Sequence, residues 1–249
     1  MILSSSHSPY DITGCPIRVV NFGSGGKLPS ESEENYLRAI WKLTGEDSDE
    51  WISTGQVADR VGVSPPSATS MVQQLCERGW LHHKRYQGVR LTVEGRELAV
   101  QTVRRHRILE TYLATILGIS WDRVDAEVER LEHSVSDEVI CRMEEALDFP
   151  DRDPHGSPIP DRQGRLPGGV DLNLAQAPLS IELKVVRVVD ALPEVLNWLG
   201  ERGIKPGEVV FLEAREPAGG PVLLRVVKED RSLAISGDLS RSICVKEIA

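Results

Sequence analysis

No apolar run in this 249-residue chain approaches the ~20 residues that cross a bilayer, so neither a membrane span nor a membrane partner is expected. The first residues lack the basic start and continuous apolar core of a secretory signal, and a cytoplasmic protein is expected. Cys15, Cys76, Cys141 and Cys244 are widely scattered. No pair has metal-finger spacing, and buried thiols in a reducing compartment are expected instead. An excess of basic charge is also missing, since the net charge is -9. The charge is unevenly spread, however. Arg78 to Arg107 holds eight basic residues against two acidic ones, whereas Ile108 to Pro150 holds three basic against eleven acidic. A basic block beside an acidic one fits a phosphate footprint next to a cation site.

Residues 1–29 are rich in Ser, Gly and Pro and read as a mobile arm. Ser30 to Glu33 is a capping box, and Tyr36, Leu37, Ile40, Trp41 and Leu43 behind it recur at helical spacing. Ser53 with Gln56 opens a short second helix that Gly62 ends. Ser64 caps a third helix with Pro65 in its first turn, and Ala68, Met71, Val72 and Leu75 form its apolar stripe. The G-V-S junction makes the pair a helix-turn-helix, with the third helix as recognition helix. Ser64, Pro66, Ser67, Thr69, Ser70 and Gln73 are its candidate DNA contacts. Trp80–Tyr86 and Val89–Leu91 alternate as strands around Gln87-Gly88, a wing bearing Lys84, Arg85 and Arg90 as further candidates.

A long helix is predicted from about Glu94 to Leu117. A single further helix is predicted after Ser120, carrying Val124, Val128, Leu131, Val135, Val139 and Met143. Together they carry enough apolar surface for a homodimer interface. Pro150 to Pro178 contains six prolines and four glycines and reads as a linker. Strands are predicted at Ile181–Val189, Val209–Glu213, Val222–Val227, Leu233–Ile235 and Ile243–Ile248, with a short helix at Pro193–Leu199. Five short strands suit a small barrel. The fold class is mainly α with β. The expected domains are an arm at 1–29, a winged helix-turn-helix at 30–97, a helical dimerisation and metal-binding domain at 98–149, a linker at 150–178 and an SH3-like barrel at 179–249.

His106 and Glu110 are four residues apart, and Glu129, Glu132 and His133 are three and four apart. On helices each set shares a face. Carboxylate oxygens with imidazoles suit Mn(II), Fe(II), Co(II) or Zn(II). Two other classes compete with a metal-sensing regulator. A di-metal carboxylate enzyme on a helical bundle would need two Glu-x-x-His motifs, and here Arg130 and Val103 stand three before the histidines. A winged-helix regulator sensing an organic ligand would need no metal, and chelation would separate it.

The winged motif, R-x-H-R-x-x-E at Arg104 to Glu110, E-x-x-E-H at Glu129 to His133, S-D-E at Ser136 to Glu138 and H-G-x-P-I-P at His155 to Pro160 together resemble the diphtheria-toxin-repressor family. The resemblance covers Ser30 to Pro160 well and the last third more weakly. It implies a winged helix, a helical dimerisation and metal domain and an SH3-like (FeoA-like) domain. It further implies a homodimeric, non-enzymatic regulator that represses metal-uptake genes from palindromic double-stranded DNA operators. One metal site would use Asn35, Glu129, Glu132 and His133, and a second His106, Glu110 and Asp125. Glu194 and Asn197 have the spacing of a ligand pair donated by the SH3-like domain. Iron-type members carry methionine and cysteine where Asn35 and Glu129 stand, so the set leans to Mn(II), with Fe(II) as the alternative. Asn35 matches neither type, and Arg38 replaces an acidic ligand of the short manganese regulators.

Overall fold

The structure is a computed structural model and describes residues 28–45, 50–167, 171–189 and 191–248. The arm expected at 1–29 lies, but for its last two residues, outside them. The described chain forms two compact units. One holds residues up to 104 with 135–145 and 162–165, and the other holds 105–134, 146–161 and 166 onward.

The first unit opens with α1 (Glu31–Leu43), whose capping box is formed in full: Ser30 Oγ accepts from Glu33 N and the Glu33 carboxylate accepts from Ser30 N. A second such box starts α2 (Thr54–Val61), and Gly62 ends it at φ 73°, a left-handed turn that glycine adopts without steric cost. Ser64 caps α3 (Pro65–Glu77). The apolar stripes of these helices converge: Leu37, Ile40, Trp41, Val57, Ala68, Val72 and Leu75 are buried, while Met71 is only half-buried. Each full burial of a large apolar side chain contributes about 1.5–3 kcal/mol.

The wing is antiparallel β1 (Leu81–Lys84) and β2 (Gly88–Leu91), paired from Leu81↔Leu91 to Lys84↔Gly88. The first strand stops two residues short of the expected Tyr86. Gln87 N donates to Lys84 O, so Arg85 and Tyr86 lie in the turn, with Tyr86 at φ 66°.

α4 (Val93–Thr115) is long, as expected. The single helix predicted behind it is two, α5 (Val124–Leu131) and α6 (Asp137–Ala146). Ser136 breaks the run because its hydroxyl accepts from Val139 N and its carbonyl from Ile140 N, the bonding of a helix start. Most of α6 belongs to the first unit, where Arg104 pairs with buried Glu144. Cys141 on α6 is disulfide-bonded, against the thiol expected, while Cys76 and Cys244 are half-buried thiols.

In the second unit the barrel is a six-stranded antiparallel sheet, ordered β3 (Leu172–Asn173), β8 (Ile243–Glu247), β4 (Glu182–Val188), β5 (Val209–Arg215), β6 (Val222–Val226), β7 (Arg231–Ile235). Alternate residues such as Leu183, Val185, Val210, Leu212, Leu224 and Val245 fill its core. Two elements go beyond the expected set. β3 is only two residues long, and α8 (Gly237–Ser242) follows the Ser236 cap. The expected helix is α7 (Pro193–Gly200). Among the described residues no helix is long and apolar enough to cross a membrane.

Candidate metal centre and nucleic-acid interface

The second half of α4 carries the candidate metal ligands of the second unit. Ile108, Leu109 and Leu113 are buried and hold the helix, which leaves His106 and Glu110 on one face, 4% and 3% exposed. Buried charge of this kind persists only where it is paired or binds a cation. α5 brings Asp125, Glu129 and, at its C-terminal end, Glu132 to the same place. His106 Nδ1 lies 2.7 Å from Glu132 Oε2, and its Nε2 lies 3.2 Å from Asp125 Oδ1 and 3.6 Å from Glu110 Oε1. With a proton on Nδ1 donated to Glu132, Nε2 is left as a ligand facing Glu110 and Asp125. That is the carboxylate–imidazole arrangement that orients metal-bound histidines.

Two overlapping donor groups result: His106 with Glu110 and Asp125, and His106 with Glu129 and Glu132, each with its ligand atoms within 4.8 Å of one another. His106 therefore takes part in both groups, whereas the sequence reading divides the residues between two sites. His133 Nε2 lies 3.5 Å from Glu132 Oε1 at the edge of the second group. Asp125 and Glu129 are exposed, which leaves a solvent route for an ion.

Sequence reasoning misses a third group: Glu110, Asp153 and His155, all three buried or nearly so. The loop that carries Asp153 and His155 is tightly built. Asp153 Oδ1 accepts from the backbone N–H groups of His155 and Ser157, and Arg107 Nε lies 3.6 Å from Asp153 Oδ2 while its guanidinium donates to Pro158 O. Gly156, at φ 83°, sits where a Cβ would come 2.0 Å from Val186 O. Val188 N donates to His155 O, so the loop is hydrogen-bonded to β4. His155 Nε2 donates to the Trp121 carbonyl at 2.6 Å, which turns Nδ1 toward Glu110 Oε1 at 3.4 Å. The signal is present in the sequence as D-P-H-G, but its ligands are two apart in a loop, and a search for helical spacing passes over them.

The surrounding carboxylates favour positive charge on both imidazoles. Burial works to lower the His106 pKa, but the Glu110 charge and the bonds to Asp125, Glu110 and Glu132 outweigh it and hold the imidazole well above its usual range. For His155 the same opposition, burial against Glu110 and Asp153, ends at about 9. Glu110 is lowered despite burial, chiefly by His106. Asp153 is raised to about 6, by burial and by the Glu110 charge. Protons on the imidazoles thus supply positive charge that a divalent ion would replace. The donors are oxygens and imidazole nitrogens without a thiolate, a set that fits a hard or borderline divalent ion.

The other expected ligands have different surroundings. Asn35 belongs to the first unit, half-buried, and its Oδ1 accepts from Arg38 at 3.1 Å. Glu194 and Asn197 are exposed on α7, where the Asn197 amide donates to Glu201; Glu194 is in none of the three groups.

In the first unit Ser64, Pro66, Ser67, Thr69, Ser70 and Gln73 are all exposed on α3. Some of these hydroxyls have local roles: Ser64 Oγ meets Ser67 Oγ, and Thr69 Oγ1 donates to Pro65 O. Lys84 and Arg85 are exposed on the wing, and the Arg90 guanidinium lies over the Trp51 ring at 5.1 Å. Glu33, which sequence reasoning places only in a cap, is 1% exposed and accepts from both Arg78 and Gln74 near the end of α3.

The chain matches three family models: the iron dependent repressor N-terminal DNA binding domain over 29–89, the iron dependent repressor metal binding and dimerisation domain over 92–161, and the FeoA domain over 172–247. The diphtheria toxin repressor of Corynebacterium glutamicum is 35% identical over 231 residues, covering 88% of this chain and 97% of that protein. The iron-dependent repressor IdeR of Mycobacterium tuberculosis is 27% identical over 230 residues, covering 88% of this chain and 98% of that protein. A solved manganese-dependent transcriptional repressor in complex with manganese is 34% identical with a TM-score of 0.80, covering 87% of this chain and all of that one. ScaR with bound Cd2+ is 28% identical with a TM-score of 0.75, covering 88% of this chain and all of that one. A DNA-binding winged helix, a helical dimerisation domain bearing carboxylate–imidazole groups and an SH3-like FeoA domain stand in this order, and the chain belongs to the diphtheria toxin repressor family of metal-dependent, DNA-binding transcriptional repressors.

Proposed function

We propose that this repressor responds to Mn(II), binds it through His106, Glu110, Asp125, Glu129, Glu132, His133, Asp153 and His155, and as a homodimer grips a two-fold symmetric operator that controls metal-uptake genes. The observation that carries the metal choice is the donor set, carboxylate oxygen and imidazole with no sulfur in any of the three groups. Such a set favours harder ions in function, although not in raw affinity. The name of the manganese-bound solved relative supports the same reading, and the names of the iron-dependent relatives make Fe(II) the competitor to test.

Ser64, Pro66, Ser67, Thr69, Ser70 and Gln73 on α3 read bases and phosphates, and Lys84, Arg85 and Arg90 on the wing meet phosphates. The Lys84→Ala, Arg85→Ala pair is expected to weaken binding to all sequences. It should also shallow the salt slope by about 2, close to one for each phosphate no longer neutralised. An unchanged slope removes the wing from the interface.

The deciding experiment is operator binding titrated with Mn(II), Fe(II), Co(II) and Zn(II) beside a chelator control. Activation by Mn(II) at the lowest free concentration is expected, as is a shift toward Fe(II) or Co(II) in Glu129→Cys. Wild-type protein that answers Fe(II) and ignores Mn(II) overturns the reading.

A further inference from the structure

A cavity of about 500 Å³ lies within the second unit, walled by the turn before α5, the end of α7 and the turn before β5. Gly200, the last residue of α7, makes room in it. A Cβ there would come 2.8 Å from Lys205 Cε, 2.9 Å from Trp121 Nε1 and 3.3 Å from Lys205 Nζ. Glycine weakens a helix relative to alanine, so what it provides here is space. The indole N–H and the ammonium border that space together, with Lys205 Nζ 5.6 Å from the centroid of the Trp121 ring. Among the described residues no protein acceptor takes a hydrogen bond from either group, and no carboxylate pairs with the ammonium.

The opposite charge faces the same cavity. Asp122 lines it, and among the described residues its carboxylate has no ion pair and accepts no hydrogen bond. The other acidic wall residue, Glu201, is already engaged: it accepts from Asn197 and lies 3.5 Å from Arg202. Ile119, Pro154 and Pro206 supply apolar wall. A cavity with two unmet charges of opposite sign and an apolar wall is complementary to a small zwitterion that carries an apolar side chain.

We propose that this cavity binds a free apolar α-amino acid as a second ligand of the repressor, beside its metal. The ligand carboxylate accepts from Lys205 and the Trp121 indole N–H, its ammonium donates to Asp122, and its side chain lies against Ile119, Pro154 and Pro206. Both polar contacts are charge-assisted, the stronger kind of hydrogen bond. A molecule that lacks either charge leaves one protein group unmet, so the site selects for the zwitterion. None of these residues belongs to the three donor groups, so the site does not rest on the metal reading. It does lie next to them, because His155 donates to the Trp121 carbonyl.

The test titrates the twenty L-amino acids into the full chain by calorimetry, once with a chelator and once with Mn(II). At least one apolar amino acid should bind with a Kd of about 1 mM or below in both conditions. Its N-acetyl derivative, which lacks the ammonium, and its carboxamide, which lacks the carboxylate, should each bind about 10-fold more weakly or worse. In the chelated chain labelled with 15N at tryptophan, the Trp121 indole signal, assigned by its loss in Trp121→Phe, should move most on addition. Lys205 is exposed, so Lys205→Met should keep the thermal midpoint and the Mn(II) affinity of wild type while losing about 10-fold in amino-acid affinity. Asp122→Asn should lose a similar factor. No binding tighter than about 10 mM by any of the twenty overturns the inference. Equal binding of the amino acid and both derivatives overturns the zwitterion, and unchanged affinity in Lys205→Met places the ligand elsewhere and overturns the site. A chain that binds the amino acid and ignores Mn(II) supports this inference while overturning the metal reading.

Discussion

Buried glutamates in the two units meet different partners. In the first unit Glu33 receives the Arg78 guanidinium at 2.8 Å, and Glu144 pairs with Arg104 and lies 3.6 Å from Arg162. In the second unit Glu110 and Glu132 meet imidazoles: His106 and His155 for the one, His106 and His133 for the other. Arginine is permanently charged, so its pairs are complete without a further ion. Imidazole supplies positive charge only by taking up a proton, and it can surrender that proton to a metal. The same residue type, glutamate, thus joins helices in one unit and sits in groups that could hold an ion in the other. The partner decides which.

The largest test of this contrast is Glu33→Ala. It leaves Arg78 and Gln74 without their acceptor, and a cost of about 2–4 kcal/mol is expected, below the full buried-pair range because Arg78 is partly exposed. Urea unfolding should show the loss equally with and without Mn(II). A loss that Mn(II) rescues would erase the distinction between the units.

His106→Ala should behave oppositely. Stability of the metal-free protein should fall, because buried Glu110 and Glu132 lose the imidazole they pair with, and the loss should grow when Mn(II) is added. Wild type should gain about 2.7 kcal/mol when Mn(II) stands at 100 times its Kd, and the variant should gain almost none of it. Calorimetric midpoints with and without Mn(II) check this.

Arg107→Met is a finer probe. Arg107 acts through Asp153 and the Pro158 carbonyl, so removing it should loosen the loop and weaken Mn(II) about 10- to 100-fold, the scale of groups that orient ligands. Isothermal titration reads it directly, and an unchanged Kd assigns Arg107 to the fold alone.

The smallest effect is in acid. Burial works to raise the Glu33 pKa, but the bonds from Ser30, Arg78 and Gln74 prevail and lower it below its usual 4.5. A lowered folded value means that the stabilisation is present above the unfolded pKa and is lost as pH falls through the folded one. Glu33→Gln should therefore flatten the stability curve below about pH 4.5. A curve parallel to wild type would mean that Glu33 does not titrate with folding.

Local signals in the sequence read well. The capping boxes at Ser30 and Ser53, the Gly62 stop and the wing pairs are all encoded within a few residues, and the structure has each of them. Periodicity alone runs α5 and α6 together, because Val135 and Val139 continue the apolar spacing across the break and only the Ser136 bonds reveal it. The candidate metal groups are half legible. His106 and Glu110 follow helical spacing, but Asp153 and His155 join them through a loop whose shape depends on Gly156 meeting β4. The Glu33–Arg78 pair spans 45 residues, a distance at which no pattern in a single sequence points from one to the other.

The most direct measurement of the central claim is the number of Mn(II) ions held per chain, read from the loss of the free-ion electron paramagnetic resonance signal. It should be taken for wild type and for a His106→Ala, Glu110→Gln, Glu132→Gln triple variant, each checked for native helicity. Wild type should hold Mn(II) in whole-number stoichiometry, and the folded triple variant should hold none at the same free concentration. Equal binding by both proteins would place the metal elsewhere and contradict the account.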